Sequence, residues 1–540
     1  PPANTNDVID IRNINKITEN IFLNFKMRYG WLLIFLLIGS FYVKPKTIIN
    51  LDEDSLLNNF IEDLSSIVPN KNNGTTTLAK KSGEQNINFD SEKDVNKNYF
   101  LRNIYDIRND FLMAGSDLVE VNLVDKKIRI YKKGQLEKEV TAIKRGNKNN
   151  WGGTPEGIYK IGNKIRIAFS NAAEAYMPFA LQIYGKFYIH GIPYYPNGEI
   201  IQSYFSGGCV QMKDSDAEAV FKIVEINDPV IVIDTPKDDF KYLVETPKNS
   251  PALNAPSFLV ADLDSNFVFI SKNPENQYPI ASITKLMSSI VVTENITLDR
   301  YVYINDQQLL ETYGQTNGLE VGNKFRLYEL LYPLLTESSN DAASLIGEYM
   351  GQEKTVQMMN DKARAIMMEK TVFKDTSGFD FNNVSTAKDL FYLGKYTKNI
   401  TPLLLDISRG EKVKIYGKLD FDFAKMKNKN IFWQEDNFIG GKTGYLDEAK
   451  NTGIFIFDMK LDKNKLKNYL RGKELVNVPV YDIQSTSTTS TKASSTIDSL
   501  KLPDSRNVAI VILGSKNPKI DVWALKSWLA QNYFLVDKVK

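Results

Sequence analysis

The chain has a single cysteine, Cys209, and a single histidine, His190, nineteen positions apart in 540 residues. A thiol paired with an imidazole can attack a carbonyl, because the ring takes the thiol proton and later returns one to the leaving amine. Ser206-Gly207-Gly208 ahead of Cys209 is a glycine turn that presents the sulfur and can bring backbone N–H groups to a developing oxyanion. His190 closes the strand-like run Phe187-Tyr188-Ile189. A second set lies downstream. In Ser282-Ile-Thr-Lys285, a spacing of three on a helix places hydroxyl and amine on one face, a turn apart. With the only histidine far upstream, that serine needs a lysine base, and a desolvated lysine beside other cations is neutral enough to serve. Ser338-Ser339-Asn340 offers a relay hydroxyl and a binding amide at a helix start. Lys442-Thr443-Gly444, after Gly440-Gly441, offers cation and hydroxyl to a carboxylate, with glycine allowing close backbone approach. Ser385-Thr-Ala-Lys388 shares the Ser282–Lys285 spacing. The order of three motifs within one domain-sized segment singles out the first.

One Cys and one His cannot supply the ligands of a zinc site, and one Cys forms no intramolecular disulfide. No metal site and no cofactor are expected, although carboxylate-bound Ca²⁺ or Mg²⁺ stays open. The 67 basic and 65 acidic residues give a net charge of +2. That balance lacks the footprint of a nucleic-acid partner. The length of 540 residues suggests a multidomain chain, and an apolar fraction of 43% is ample for packed cores.

The elements that must hold these residues change in texture along the chain. Residues 1–28 read as a cytoplasmic tail. Residues 29–43 (YGWLLIFLLIGSFYV), flanked by Lys26, Arg28, Lys44 and Lys46, read as a short transmembrane signal anchor with interfacial Trp31 and Tyr42. Residues 44–116 read as a linker or stalk, too polar over 69–98 to bury a core. Short alternating segments over 117–235 predict a mostly-β domain. Paired strands at 258–262 and 267–271, helices near 283–294, 327–336, 342–349, 356–368 and 522–534, and strands at 451–457 and 507–513 predict an α/β (α+β) domain over 252–540. The polar run 484–499 reads as an exposed low-complexity insertion.

Residues 117–234 resemble the L,D-transpeptidase catalytic domain. The resemblance runs through Thr154-Pro155-Glu156-Gly157, Met177-Pro178-Phe179, Tyr188-Ile189-His190-Gly191 and Ser206 to Met212. It implies that Cys209 is acylated by a peptidoglycan stem peptide, with His190 as proton partner and Ser206, Gly207 and Gly208 lining the acyl site. Gly207 stands where the family usually has His, and Gln211 where Arg or Asn is usual. Residues 252–540 resemble the serine D-alanyl-D-alanine carboxypeptidases among the low-molecular-mass penicillin-binding proteins. The three motifs carry this, together with Pro279 to Met287, Asn340-Asp-Ala-Ala343, Thr376 to Asp380 and Ser385 to Asp389. The second resemblance implies that Ser282 is acylated and Lys285 is its base. Ser338 and Asn340 would assist proton transfer and binding, and Lys442, Thr443 and Gly444 would hold the terminal carboxylate. Leu446 replaces a threonine common in that strand.

Together the resemblances imply a bifunctional, membrane-anchored enzyme of the bacterial envelope, acting on stem peptides outside the cytoplasm and inhibited by penicillins and carbapenems. One domain would trim terminal D-Ala and the other would cross-link the resulting tetrapeptide. The rivals are a degenerate thiol domain that only binds wall, a β-lactamase, and a scaffold with neither activity.

Overall fold

The computed structural model describes residues 98–203, 206–247, 249–305, 319–413, 426–472 and 501–538. The expected anchor at 29–43 and the insertion at 484–499 lie outside the described residues. Among the described residues no helix is long and apolar enough to cross a membrane.

The first half carries β1 (Tyr99–Phe100), α1 (Ile104–Met113), β2 (Leu118–Asn122), β3 (Lys127–Lys132), β4 (Gln135–Thr141), β5 (Gly157–Lys160), β6 (Lys164–Ser170), β7 (Ala175–Tyr184), β8 (Phe187–His190), β9 (Val210–Gln211), α2 (Asp214–Ile223) and β10 (Pro229–Ile233). Two sheets form, ordered β4-β3-β2-β10-β5 and β6-β7-β8-β9. Their inward residues, among them Val119, Val121, Ile128, Leu181, Ile189, Val210 and Val232, share one core with Val220 of α2. This is the mostly-β domain expected.

The second half carries β11 (Ser257–Asp262), β12 (Phe267–Lys272), β13 (Tyr278–Pro279), α3 (Thr284–Asn295), β14 (Tyr301–Tyr303), β15 (Lys324–Arg326), α4 (Leu327–Tyr332), α5 (Asn340–Met350), α6 (Gln352–Ala365), β16 (Val384–Ser385), α7 (Ala387–Ile400), α8 (Pro402–Arg409), β17 (Phe438–Leu446), β18 (Lys450–Leu461), α9 (Lys463–Gly472), β19 (Ser505–Ser515), α10 (Pro518–Asn532) and β20 (Leu535–Val536). Its sheet runs β1-β12-β11-β19-β18-β17, with β20 on β18. The period of two in the central strands divides their side chains between two cores. Ile454 and Ile456 join the core under α3 and α7. Phe455 and Phe457 join the one under α10. Helix α3 is buried from Thr284 to Glu294, all round its surface. A helix so enclosed makes a rigid platform for whatever its ends carry.

The stalk expected over 44–116 ends earlier than its composition suggests, because residues 99–113 are folded. Tyr99 and Phe100 pair antiparallel with Val268 and Phe267, and Leu101 enters the core of the second half. Asn103 caps α1 with a reciprocal capping box to Asp106. The mostly-β domain is therefore bracketed in sequence by strands of the other half's sheet. Tyr242, Leu243 and Val244, in the stretch assigned to neither domain from sequence, also pack on that half. Tyr242 lies against Phe267, Phe269 and Tyr533.

Candidate active sites

Ser282 lies on a 3-10 turn, Ala281–Ile283, that feeds α3. Ala281 has φ 49°, a left-handed conformation that is unfavourable for a residue with a Cβ and persists only where neighbours impose it. Two glycines do so. A Cβ on Gly378 would come within 1.9 Å of the Ala281 carbonyl oxygen, and one on Gly444 within 2.9 Å of the Ser282 nitrogen. The nucleophile is thus clamped between the loop at 375–383 and β17, and it remains half-exposed.

Lys285 is fully buried beneath it. Its Nζ lies 2.9 Å from Ser282 Oγ, 2.7 Å from Asn340 Oδ1 and 2.5 Å from the Ser377 carbonyl oxygen. Burial pulls the amine down to about 7, with Lys429 acting in the same direction and Asp375 against it. A neutral amine fits these partners well. It donates to the amide and carbonyl oxygens and accepts the Ser282 hydroxyl proton on its lone pair.

Lys442 is the second fully buried lysine. Its Nζ donates to Ser338 Oγ at 3.0 Å and to the Thr443 carbonyl at 2.9 Å. Burial, then the nearby Lys285 and Lys429, drive its pKa well down. A substrate carboxylate would reverse that trend, which makes this a place tuned for an anion. Ser338 reaches Lys442 because it adopts φ 60° after the wide turn Pro333–Glu337, while Ser339 caps α5. Ser282, Ser338, Asn340 and Thr443 all stay half-exposed, so the two lysines act from behind a polar floor.

Asp375 and Lys429 were not read from sequence, and Ser377 was read only within the framework run Thr376 to Asp380. Ser377 supplies the carbonyl to Lys285, and Asp375 shapes that loop by accepting from the backbone N–H groups of Ser377, Gly378 and Asp380. Lys429 adds positive charge beside both lysines. The Asp-Thr-Ser-Gly run was a detectable turn signal for Asp375 and Ser377. Nothing local marked Lys429.

The thiol site is built by a parallel pair of strands. Ile189 pairs with Val210 and His190 with Gln211, so Cys209 falls beside Tyr188, and the alternation of β side chains sets His190 and Cys209 toward the same face. Cys209 Sγ donates to the Lys186 carbonyl at 3.7 Å. The buried His190 places Nδ1 2.6 Å from the Gly191 carbonyl, which fixes the proton on Nδ1 and leaves Nε2 as the basic nitrogen. No hydrogen bond joins the two side chains. Burial pushes the Cys209 thiol up to about 11, against weaker lowering by a backbone hydrogen bond at Tyr188 and by Lys186. Burial also pulls His190 down to about 4, opposed by the Gly191 carbonyl and Asp214. The resting site holds a neutral thiol and a neutral imidazole. Ser206 Oγ donates to the Cys209 carbonyl and accepts from Gly208 N at 3.3 Å. Gly208 needs its φ of 108°, and a Cβ there would strike the Phe187 ring. A Cβ at Gly207 would meet nothing within 4 Å. Gln211 Oε1 is buried without a hydrogen-bond partner.

The fold and the serine site therefore define a serine acyl-enzyme class with a buried lysine beside the hydroxyl, joined to a mostly-β domain that sets a thiol and an imidazole on one face. Comparison with known families agrees. Residues 244–459 match the D-alanyl-D-alanine carboxypeptidase family, and residues 116–232 match the L,D-transpeptidase catalytic domain family. The D-alanyl-D-alanine endopeptidase of Escherichia coli K12 is 33% identical over 214 residues, covering 39% of this chain and 69% of that protein. That of Haemophilus influenzae is 29% identical over 40% of this chain and 72% of its own length. The D-alanyl-D-alanine carboxypeptidase DacB2 of Mycobacterium tuberculosis is 28% identical over 37% of this chain and 69% of its own. The chain belongs to the serine D-alanyl-D-alanine peptidase family, and in the same polypeptide it has a segment that matches the L,D-transpeptidase catalytic domain family.

Proposed function

We propose that this protein is a bifunctional peptidoglycan-modifying enzyme. The observation that carries the serine activity is the Lys285 amine held 2.9 Å from Ser282 Oγ in a site without water access to the amine. Ser282 attacks the carbonyl of the D-Ala-D-Ala peptide bond and Lys285 takes its proton. Ser338, on Lys442, passes a proton to the departing amine, while Lys442 and Thr443 bind the terminal carboxylate and Asn340 the peptide backbone. Water, or an acceptor amine, then releases the acyl group. The E. coli and H. influenzae relatives are endopeptidases by name, which favours cleavage of existing D,D cross-links as a second reading of this site.

In the other half, Cys209 is acylated by a tetrapeptide donor with His190 Nε2 as proton partner, and the acyl group passes to a neighbouring stem. The shared face of His190 and Cys209 supports this reading. The neutral resting pair and the missing side chain at Gly207 favour the alternative in which this half only binds wall. Penicillins and carbapenems are the expected covalent inhibitors, and the apolar run 29–43 is the expected anchor holding both halves outside the cytoplasm.

The test is intact mass after carbapenem treatment of wild type, Cys209→Ala and Ser282→Ala. Two adducts, each lost with its own variant, support two acyl-enzyme sites. One adduct, lost only with Ser282→Ala, reduces the thiol half to a binding module.

A further inference from the structure

The turn between β7 and β8 is the feature that neither half explains alone. Three consecutive residues of it meet the C-terminal end of α3, the helix whose first turn carries Lys285. Tyr184 OH accepts from Asn295 Nδ2 at 3.3 Å. Gly185, at φ 49°, lies so close that a Cβ would fall 2.0 Å from Asn295 Oδ1. Lys186 Nζ donates to the Ile296 carbonyl at 3.2 Å, where the helix terminus is electronegative. The same Lys186 offers its own carbonyl to Cys209 Sγ. Beneath the turn, a buried Lys362 is paired with Glu294 at 2.9 Å and caged by Tyr159 and Tyr184 from the thiol half and Tyr396 from the serine half.

We infer that Lys186 is the positioning residue of the thiol site, its ammonium fastening the β7–β8 turn to the end of α3 and its carbonyl holding Cys209 Sγ, so that the serine half supplies the seat on which the thiol is held. The inference rests on Cys209 being the nucleophile proposed above. The charged and titratable groups that face the thiol are Lys186 and Tyr188, on the turn before β8 and on β8; behind them, Glu294 of α3 acts on Lys186, and Asp214 at the start of α2 acts on His190 further along β8. Lys186 is the cation among them. It therefore acts twice, by placing the sulfur through its carbonyl and by favouring the thiolate through its charge.

The chain has one cysteine, so alkylation of the intact protein by iodoacetamide reads Cys209 alone, whether or not the domain turns over substrate. Read at pH 8, well below the about 11 of the thiol, the rate reports the thiolate population and the access of the sulfur together. Lys186→Met should slow alkylation at that pH about threefold or more, and Lys186→Arg should restore it. Gly185→Ala, which wedges the turn off Asn295, should change the rate with Lys186 intact. Penicillin acylation of Ser282 in all three variants serves as the check that the chain is folded. An unchanged rate in Lys186→Met, or no recovery in Lys186→Arg, would overturn the role of the charge. An unchanged rate in Gly185→Ala would overturn the seat. Failure of carbapenem to acylate Cys209, with these changes present, would instead count against the transpeptidase reading and leave the positioning role standing.

Discussion

Lys285 titrates near 7 against an ordinary 10.5, and that displacement sets a pH dependence that can be worked through. It corresponds to about 5 kcal/mol of preference for the neutral amine, which arises because a fully buried ammonium has lost its hydration and Lys429 stands nearby. Acylation of Ser282 by a penicillin needs that neutral amine. Its second-order rate should therefore rise about tenfold per pH unit below 6, bend near 7 and level off above 8. The sign for stability follows from the same displacement. Between about 7 and the unfolded value the unfolded chain binds the extra proton, so stability gained from this group grows with pH over that window and is absent below it. Lys285→Met removes the buried amine. It should lose about a thousandfold or more in acylation while raising the urea midpoint at pH 6, where the wild type carries an unfavourable buried charge. Lys285→Arg cannot deprotonate and should be inactive at every pH. Stopped-flow acylation over pH 5–10 with paired urea titrations would decide the matter. A rate that is flat from 6 to 8, or a bend above 9, would refute a buried neutral lysine base.

Gly378→Ala drives a Cβ into the Ala281 carbonyl and should abolish penicillin labelling of Ser282 while carbapenem labelling of Cys209, read by intact mass, persists. His190, drawn down to about 4 by burial, is neutral in the fold. As pH falls from 6.5 to 4 the unfolded chain takes up the proton first, so about 3 kcal/mol of stability should be lost in that window. A His190→Gln variant should show a flatter acid limb in urea titrations. Removing one partner of the buried Lys362–Glu294 pair, as in Lys362→Met, leaves a buried carboxylate with no cation, held only by the Tyr396 hydroxyl. It should lose about 3–5 kcal/mol by chemical denaturation, and the double change Lys362→Met/Glu294→Gln should recover part of that. Lys442→Met should weaken turnover of carboxylate-ended peptides far more than of amidated ones, measured as KM against kcat, because its ammonium meets the terminal charge.

Sequence alone determined which residues of this chain are candidates for chemistry. A sole thiol and imidazole flanking a glycine turn, and a serine and lysine three apart with two further motifs in order, are local patterns set by side-chain reactivity and helical spacing. The structure brings Ser282, Lys285, Ser338, Asn340 and Lys442 into contact as those patterns require. The apolar runs of β18 and β19 were legible as strands, whereas the division of their two faces between two cores came from packing. Other features depended on long-range packing. The strand Tyr99–Phe100 reads as part of the stalk because two residues are too few to show a strand period, so its place in the far sheet could not be seen. Asp375 and Ser377 act through backbone groups, which every residue shares, and Lys429 acts through proximity created by the fold. The protonation states were also set in three dimensions. His190 and Cys209 look from sequence like an activated pair, yet burial leaves both neutral, because the desolvation that decides a pKa is a property of the packed surroundings and not of the residues themselves.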